Sequence, residues 1–250
     1  MSLLSVRNLS VRLKGGERLP RAVSLEVEPG EVRSLAGESG AGKSMIGKAV
    51  LGTLPHTVEV MSGEILLDGV DLMTKPPGQR RQKIEALAAL IPQDPLTALK
   101  PSRRIGPQIT DHLVDILGWT RARAEERARE LLAAVQIEGA ERVLRCYPHE
   151  LSGRMRQRIL IASAFAAEPK LIIAGEPATA LNVTVQKQIF RLITGMQARR
   201  NTAQLFVTHD LGVVSKVCQN LTVLYGGLVV EDAPVRAFFR VPETPIPAHC

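Results

Sequence analysis

Residues Gly37-Glu38-Ser39-Gly40-Ala41-Gly42-Lys43-Ser44 carry the spacing G-x-x-x-x-G-K-S, and their flanks decide what that spacing means. Before the octet, Glu31 to Ala36 reads as a strand. After it, Lys43 to Leu54 suits a helix that Pro55 ends, so strand, loop and helix follow in the order a phosphate-binding loop requires. Glycines let the backbone curl so that successive N–H groups point inward at a polyphosphate, and the positive end of the following helix adds to the attraction. Lys43 then neutralises the β and γ phosphates, and the Ser44 hydroxyl is offered to Mg²⁺. A Gly/Ser-rich turn can match such an octet by accident, but the flanking strand and helix argue against accident.

Outward from the loop, Leu3 to Leu13 and Val23 to Val27 alternate apolar with polar residues, as strands of a half-exposed antiparallel sheet do. Ser62 to Gly69 predicts a strand entering a hairpin turn, and Leu87 to Pro92 another strand. The character changes at Asp94. From about residue 94 to 167 a helical insertion is expected, with Ile105 to Leu117 and Ala122 to Val135 at helical spacing and a further helix from Leu151 to Ala167, opened by Ser152. The charges of Arg121 to Arg129 read as its solvated face. Lys170 to Ala174 is an apolar run suited to a strand buried on both faces. The α/β rhythm then returns, with helices at Val183 to Met196 and Leu211 to Val217 and strands at Ala203 to Val207, Leu221 to Leu224 and Leu228 to Val230.

The bulk properties fit this picture. The chain has 250 residues and 45% hydrophobic content, enough for a sizeable core. Its 32 Lys and Arg against 25 Asp and Glu give a net charge of +7, dispersed rather than gathered into one basic tract. Cys146, Cys218 and Cys250 are an odd set without C-x-x-C spacing, which suggests neither a disulfide framework nor a zinc site. No run approaches the ~20 apolar residues that span a bilayer, and Met1 to Leu13 interleaves polar residues without the apolar segment of a signal peptide. A cytosolic protein is expected, unless something holds it at a membrane.

With this order of motifs the chain resembles the ATP-binding subunit of an ABC transporter. Gln93 stands where that family has its Q-loop glutamine, Leu151-Ser152-Gly153-Arg154-Met155 where it has its signature motif, and Leu171 to Glu176 where it has its Walker B strand. Ala180-Leu181-Asn182 corresponds to the D-loop and Thr208-His209-Asp210 to the switch histidine. Within the family, Asp94 to Pro101, Tyr147 to Glu150 and Asp210 to Val214 look like the dipeptide, oligopeptide and nickel importer branch. The resemblance implies a single nucleotide-binding domain over residues 1–250: a P-loop NTPase α/β core with an antiparallel β subdomain and a helical subdomain.

It also implies roles. Gly37 to Ser44 would bind ATP, with Ser44 and Gln93 as ligands to Mg²⁺. Glu176 would orient the attacking water, His209 would contact the γ phosphate, and the signature would face the phosphate loop of a second ATPase subunit in a homo- or heterodimer. Catalysis of this kind is mostly positioning and charge stabilisation. The further partners implied are two transmembrane permease subunits and a solute-binding protein, with no nucleic acid. The implied place is the cytoplasmic face of the cell's inner membrane.

Four positions depart from the family pattern. The Walker B strand ends in Gly175-Glu176 where two acids are expected, and Arg154 replaces the second glycine of the signature. Asn182 replaces an aspartate, and Leu13 to Val23 holds no aromatic residue to stack on adenine. The expected function is therefore ATP-driven peptide uptake. The alternatives are a catalytically impaired subunit of the same complex, a nickel importer subunit and a soluble ABC ATPase acting on nucleic acid.

Overall fold

The structure is a computed structural model, which describes residues 2–14, 20–175 and 183–239, with the side chains of residues 95, 96, 183–187, 199 and 200 left aside. In chain order the elements are β1 (Leu4–Leu13), β2 (Val23–Val27), β3 (Val32–Gly37), α1 (Lys43–Val50), β4 (Val58–Leu67), β5 (Val70–Asp71), α2 (Pro77–Leu87) and β6 (Ala88–Ile91). Four helices follow: α3 (Pro95–Ala98), α4 (Ile105–Asp115), α5 (Arg121–Ala134) and α6 (Ala140–Arg145). A 3-10 turn at Pro148–Glu150 leads to α7 (Gly153–Ala164) and β7 (Leu171–Gly175). The chain continues through α8 (Val183–Arg200), β8 (Ala203–Val207), α9 (Leu211–Val217), β9 (Asn220–Tyr225), β10 (Leu228–Pro234) and α10 (Val235–Phe238).

Among the described residues the strands form two sheets. One is four-stranded and antiparallel in the order β2-β1-β4-β5; the other is six-stranded in the order β10-β9-β3-β8-β7-β6. In the larger sheet β9, β3, β8, β7 and β6 run parallel, and β10 closes one edge antiparallel to β9. Every residue of β8 and four of five in β7 are buried. These strands are covered on both faces, which is why Leu171 to Ala174 and Ala203 to Val207 carry almost no polar alternation. By contrast β2 alternates buried and exposed without a break, as a one-sided antiparallel strand should.

Two large apolar clusters fill the layers. One joins the small sheet, α1 and one face of the large sheet, with Leu4, Leu9, Ile46, Ile65, Ile173 and Leu205 among its members. The other joins the helical segment to the opposite face, through Leu113, Leu132, Ile159, Ile172 and Phe206. The helical insertion is thus packed on the sheet, and Arg127 ties its helices together: its guanidinium donates to the carbonyls of Phe165 and Ala166, at the end of α7.

Several boundaries differ from the sequence reading. The loop helix ends at Val50, before Pro55 comes into play. Gly52 sits at φ 64°, its N–H donating to Ala49 O at 3.1 Å and that of Thr53 to Lys48 O at 2.9 Å, a left-handed glycine stop that satisfies the last carbonyls. The strand expected from Ser62 begins at Val58, because β1 pairs along that length. Helices α2 and α6 were not anticipated: in α2 only Ile84 is buried, so the segment carries no periodic apolar signal. α8 runs on to Arg200 and α7 stops at Ala164.

Candidate functional site

The loop between β3 and α1 owes its path to glycines at positive φ: Gly37 at 142°, Gly40 at 86° and Gly42 at 91°. Gly37 is also confined, since a Cβ there would lie 2.1 Å from the carbonyl oxygen of Leu224 on β9. Gly40 meets nothing within 4 Å, so its conformation and not its size is what requires glycine. α1 begins at Lys43 behind Gly42, with no side-chain cap and no acidic residue in its first turn. Its N-terminal donors and dipole are left for an anion.

Lys43 is 5% exposed, and its ammonium donates to Gly37 O and Glu38 O, each at 2.7 Å. The side chain is thereby folded back over the loop that precedes it. Ser39, Gly40, Gly42, Lys43 and Ser44 line a cavity of about 370 Å³, within the range of small-molecule sites. Gln93, from beyond the end of β6, lines the same cavity. The parallel order β3-β8-β7-β6 explains the meeting, since the loop leaves β3 and Gln93 follows β6 at the same end of the sheet.

Among the described residues, the others singled out in the sequence do not line this cavity. Thr208 and His209 follow the end of β8, between β3 and β7; His209 is exposed, and Asp210 caps α9 by accepting from Gly212 N at 2.8 Å and Val213 N at 3.2 Å. Leu151 is buried, and Ser152 caps α7 by accepting from Met155 N at 3.3 Å. Ser152, Gly153 and Arg154 are exposed at the start of that helix, and Met155 is half-buried. Ala41 is buried beneath the loop, whereas Glu38 is exposed. Glu176 and Asn182 lie outside the described residues, as does the segment 15–19 next to the expected base contact.

Sequence reasoning missed Arg12 and Leu13, which line the cavity from β1. Arg12 is held by Glu59 at 2.6 Å across the β1–β4 pair. The signal available was the absence of an aromatic residue there, which left the question of what faces the site instead.

The site fits a nucleotide's phosphates by its glycine path, its lysine and its uncapped helix. For a hydrated divalent cation the donor set is incomplete. Ser44 and Gln93 offer neutral oxygens, but β7 ends at Gly175, which brings no carboxylate. A Cβ on Gly175 would have Ile91 O at 3.9 Å as its nearest neighbour, so packing does not impose the glycine. Among the described residues no group of His, Cys, Asp and Glu is arranged to hold a metal.

A family model described as "ABC transporter" matches residues 20–179. The chain is 44% identical to a probable peptide ABC transporter ATP-binding protein of Sinorhizobium fredii, over 97% of this chain and 74% of that one. It is 39% identical to a dipeptide transport ATP-binding protein of Haemophilus influenzae, over 98% of this chain and 75% of the other. Among solved structures it is similar to a dimeric ATP-binding cassette in a post-hydrolysis state bound to ADP and Pi, with a TM-score of 0.80 and 24% identity over 93% of this chain and 99% of that one. The fold is likewise that of an ABC transporter component from Clostridium perfringens, at TM-score 0.82 and 24% identity, covering 95% and 90% of the two chains. Phosphate loop, sheet order and similarity over nearly the whole chain agree: the chain belongs to the ABC transporter family, among its ATP-binding subunits.

Proposed function

We propose that this chain energises an importer of short peptides by binding and hydrolysing ATP on the cytoplasmic face of the inner membrane. Residues 1–250 act as one nucleotide-binding domain, and the helical segment from about 94 to 167 is the part that meets the permeases. The observation that carries the nucleotide reading is the cavity that joins the Gly37–Ser44 loop to Gln93, which follow two different strands, β3 and β6, at the same end of a parallel sheet. Peptide as the cargo rests on the relatives, whose names specify peptide or dipeptide transport.

In this reading Lys43 leaves the carbonyls of Gly37 and Glu38 for the β and γ phosphates, and the loop's N–H groups and the start of α1 hold the rest of the chain of phosphates. His209 contacts the γ phosphate, and Glu176 orients the attacking water. Gln93 links the cavity to the membrane subunits through the segment that follows it. Leu151 to Met155 faces the phosphate loop of a second ATPase subunit, for which the exposure of Ser152, Gly153 and Arg154 leaves room. A bound Mg²⁺ would supply charge neutralisation at the phosphates.

A second reading, a subunit that holds nucleotide and turns it over slowly, is favoured by Gly175 and Arg154. Peptide uptake tests the main one. Cells that depend on this transporter for a labelled dipeptide should lose uptake when the chain is deleted and regain it from the intact chain but not from Lys43→Ala. Unchanged uptake after deletion would refute the peptide assignment.

A further inference from the structure

The ends of β3, β8, β7 and β6 lie side by side, so the end of β7 is flanked by β8, which separates it from the strand β3 that feeds the phosphate loop, and by β6, the strand that leads to Gln93. α1 packs over the same strands, with a Cβ on its Gly47 lying 3.2 Å from Ile173 of β7. The residue at that place, Gly175, brings no side chain, although there is room for one and its backbone is not in the left-handed region. The described lining of the cavity contains two cations, Arg12 and Lys43, and no carboxylate. Arg12 is paired with Glu59. Lys43 is therefore the principal charge facing the phosphates.

Mg²⁺ is a hard cation that keeps several waters and is ordinarily bound by one or two carboxylates together with phosphate oxygens. Here it would meet neutral Ser44 and Gln93 oxygens beside a buried ammonium, which opposes it. We propose that this site takes the metal-free nucleoside triphosphate about as readily as its magnesium complex, with Lys43 and the N-terminus of α1 supplying the neutralising charge. This rests on the reading of Gly37 to Ser44 as the nucleotide site, and it concerns binding, whatever the rate of turnover.

The test is calorimetric titration of the full chain with a non-hydrolysable ATP analogue, once in excess Mg²⁺ and once in excess EDTA. The two dissociation constants should agree within about threefold, under 1 kcal/mol by the usual conversion. Gly175→Asp should separate them by about tenfold or more in favour of Mg²⁺, the scale of one added charge interaction in a partly solvated site. Gly175→Asn, of the same size without the charge, should not. Binding by the unmodified chain that is tenfold tighter in Mg²⁺ would overturn the proposal, and decides the matter even if Gly175→Asp fails to fold. So would an equal separation in Gly175→Asn. No binding in either buffer would overturn the nucleotide-site reading beneath it, an outcome distinct from a metal-dependent one.

Discussion

The Lys43 ammonium donates to the carbonyl oxygen of Gly37 at 2.7 Å, closing the phosphate loop on itself. An ammonium has three donors, and it is 5% exposed here because the loop supplies acceptors in place of water. Lys43→Ala should therefore weaken nucleotide binding by about a hundredfold or more, the scale of a lost charge-assisted contact to phosphate in a desolvated site. The same change should lower stability by only ~1 kcal/mol, since the bonds it removes are to loop carbonyls that water can reach once the side chain is gone. Titration with ATP, paired with denaturant unfolding, checks both; full binding by the variant would show that the phosphates lie elsewhere.

Gly37 and Gly40 both have positive φ but should not respond alike to alanine. A Cβ on Gly37 falls 2.1 Å from Leu224 O, a backbone atom of the neighbouring strand β9, whereas Gly40 faces open space. Gly37→Ala should cost about 3 kcal/mol or more, combining strain and steric displacement. Gly40→Ala should cost about 1 kcal/mol, the conformational part alone. Unfolding midpoints without nucleotide separate the two, and equal losses would mean that the contact with β9 is not maintained.

How much of this was legible in the sequence varied with the range of the interactions. The phosphate loop could be read because its glycines, lysine and helix start act within eight residues. The buried strand β7 could be read because coverage on both faces leaves an apolar run from Leu171 to Ala174. α2 could not, since its apolar residues form no stripe and only Ile84 is buried, with Pro77 at its start. Arg12 was invisible for another reason: its position depends on Glu59, 47 residues away, and on a strand register with irregularities between Arg7 and Val11. Pro55 drew attention as the stop of α1, but Gly52 had already ended the helix by adopting a left-handed conformation.

Cys218 ends α9 and packs with Val214 and Leu221, and burial pushes its thiol from the ordinary 9.0 up to about 12. In the unfolded chain it ionises near its ordinary value, whereas in the folded one the thiolate is disfavoured. The contribution to stability is thus complete below pH 9.0 and is lost as the pH rises toward about 12. Cys218→Ala should flatten that alkaline loss. Unfolding curves collected across this interval test it, and parallel curves for the two proteins would count against a buried thiol.

Arg154 is exposed on the first turn of α7, and Gly175 has open space beside it. Arg154→Gly and Gly175→Asp should each leave stability within about 1 kcal/mol. Together they should raise hydrolysis by the assembled transporter about tenfold or more, a fraction of what a single well-placed stabilising group can contribute. Phosphate release by complexes carrying the double variant is the readout, and no gain would mean that neither position limits turnover.

The most direct test of the account is ATP hydrolysis by a reconstituted complex of this chain, a second ATPase subunit, two permease subunits and a peptide-binding protein. Hydrolysis should rise when the binding protein carries peptide and should collapse when this chain alone bears Lys43→Ala. A complex that hydrolyses ATP and moves peptide at an unchanged rate with that variant would contradict the account.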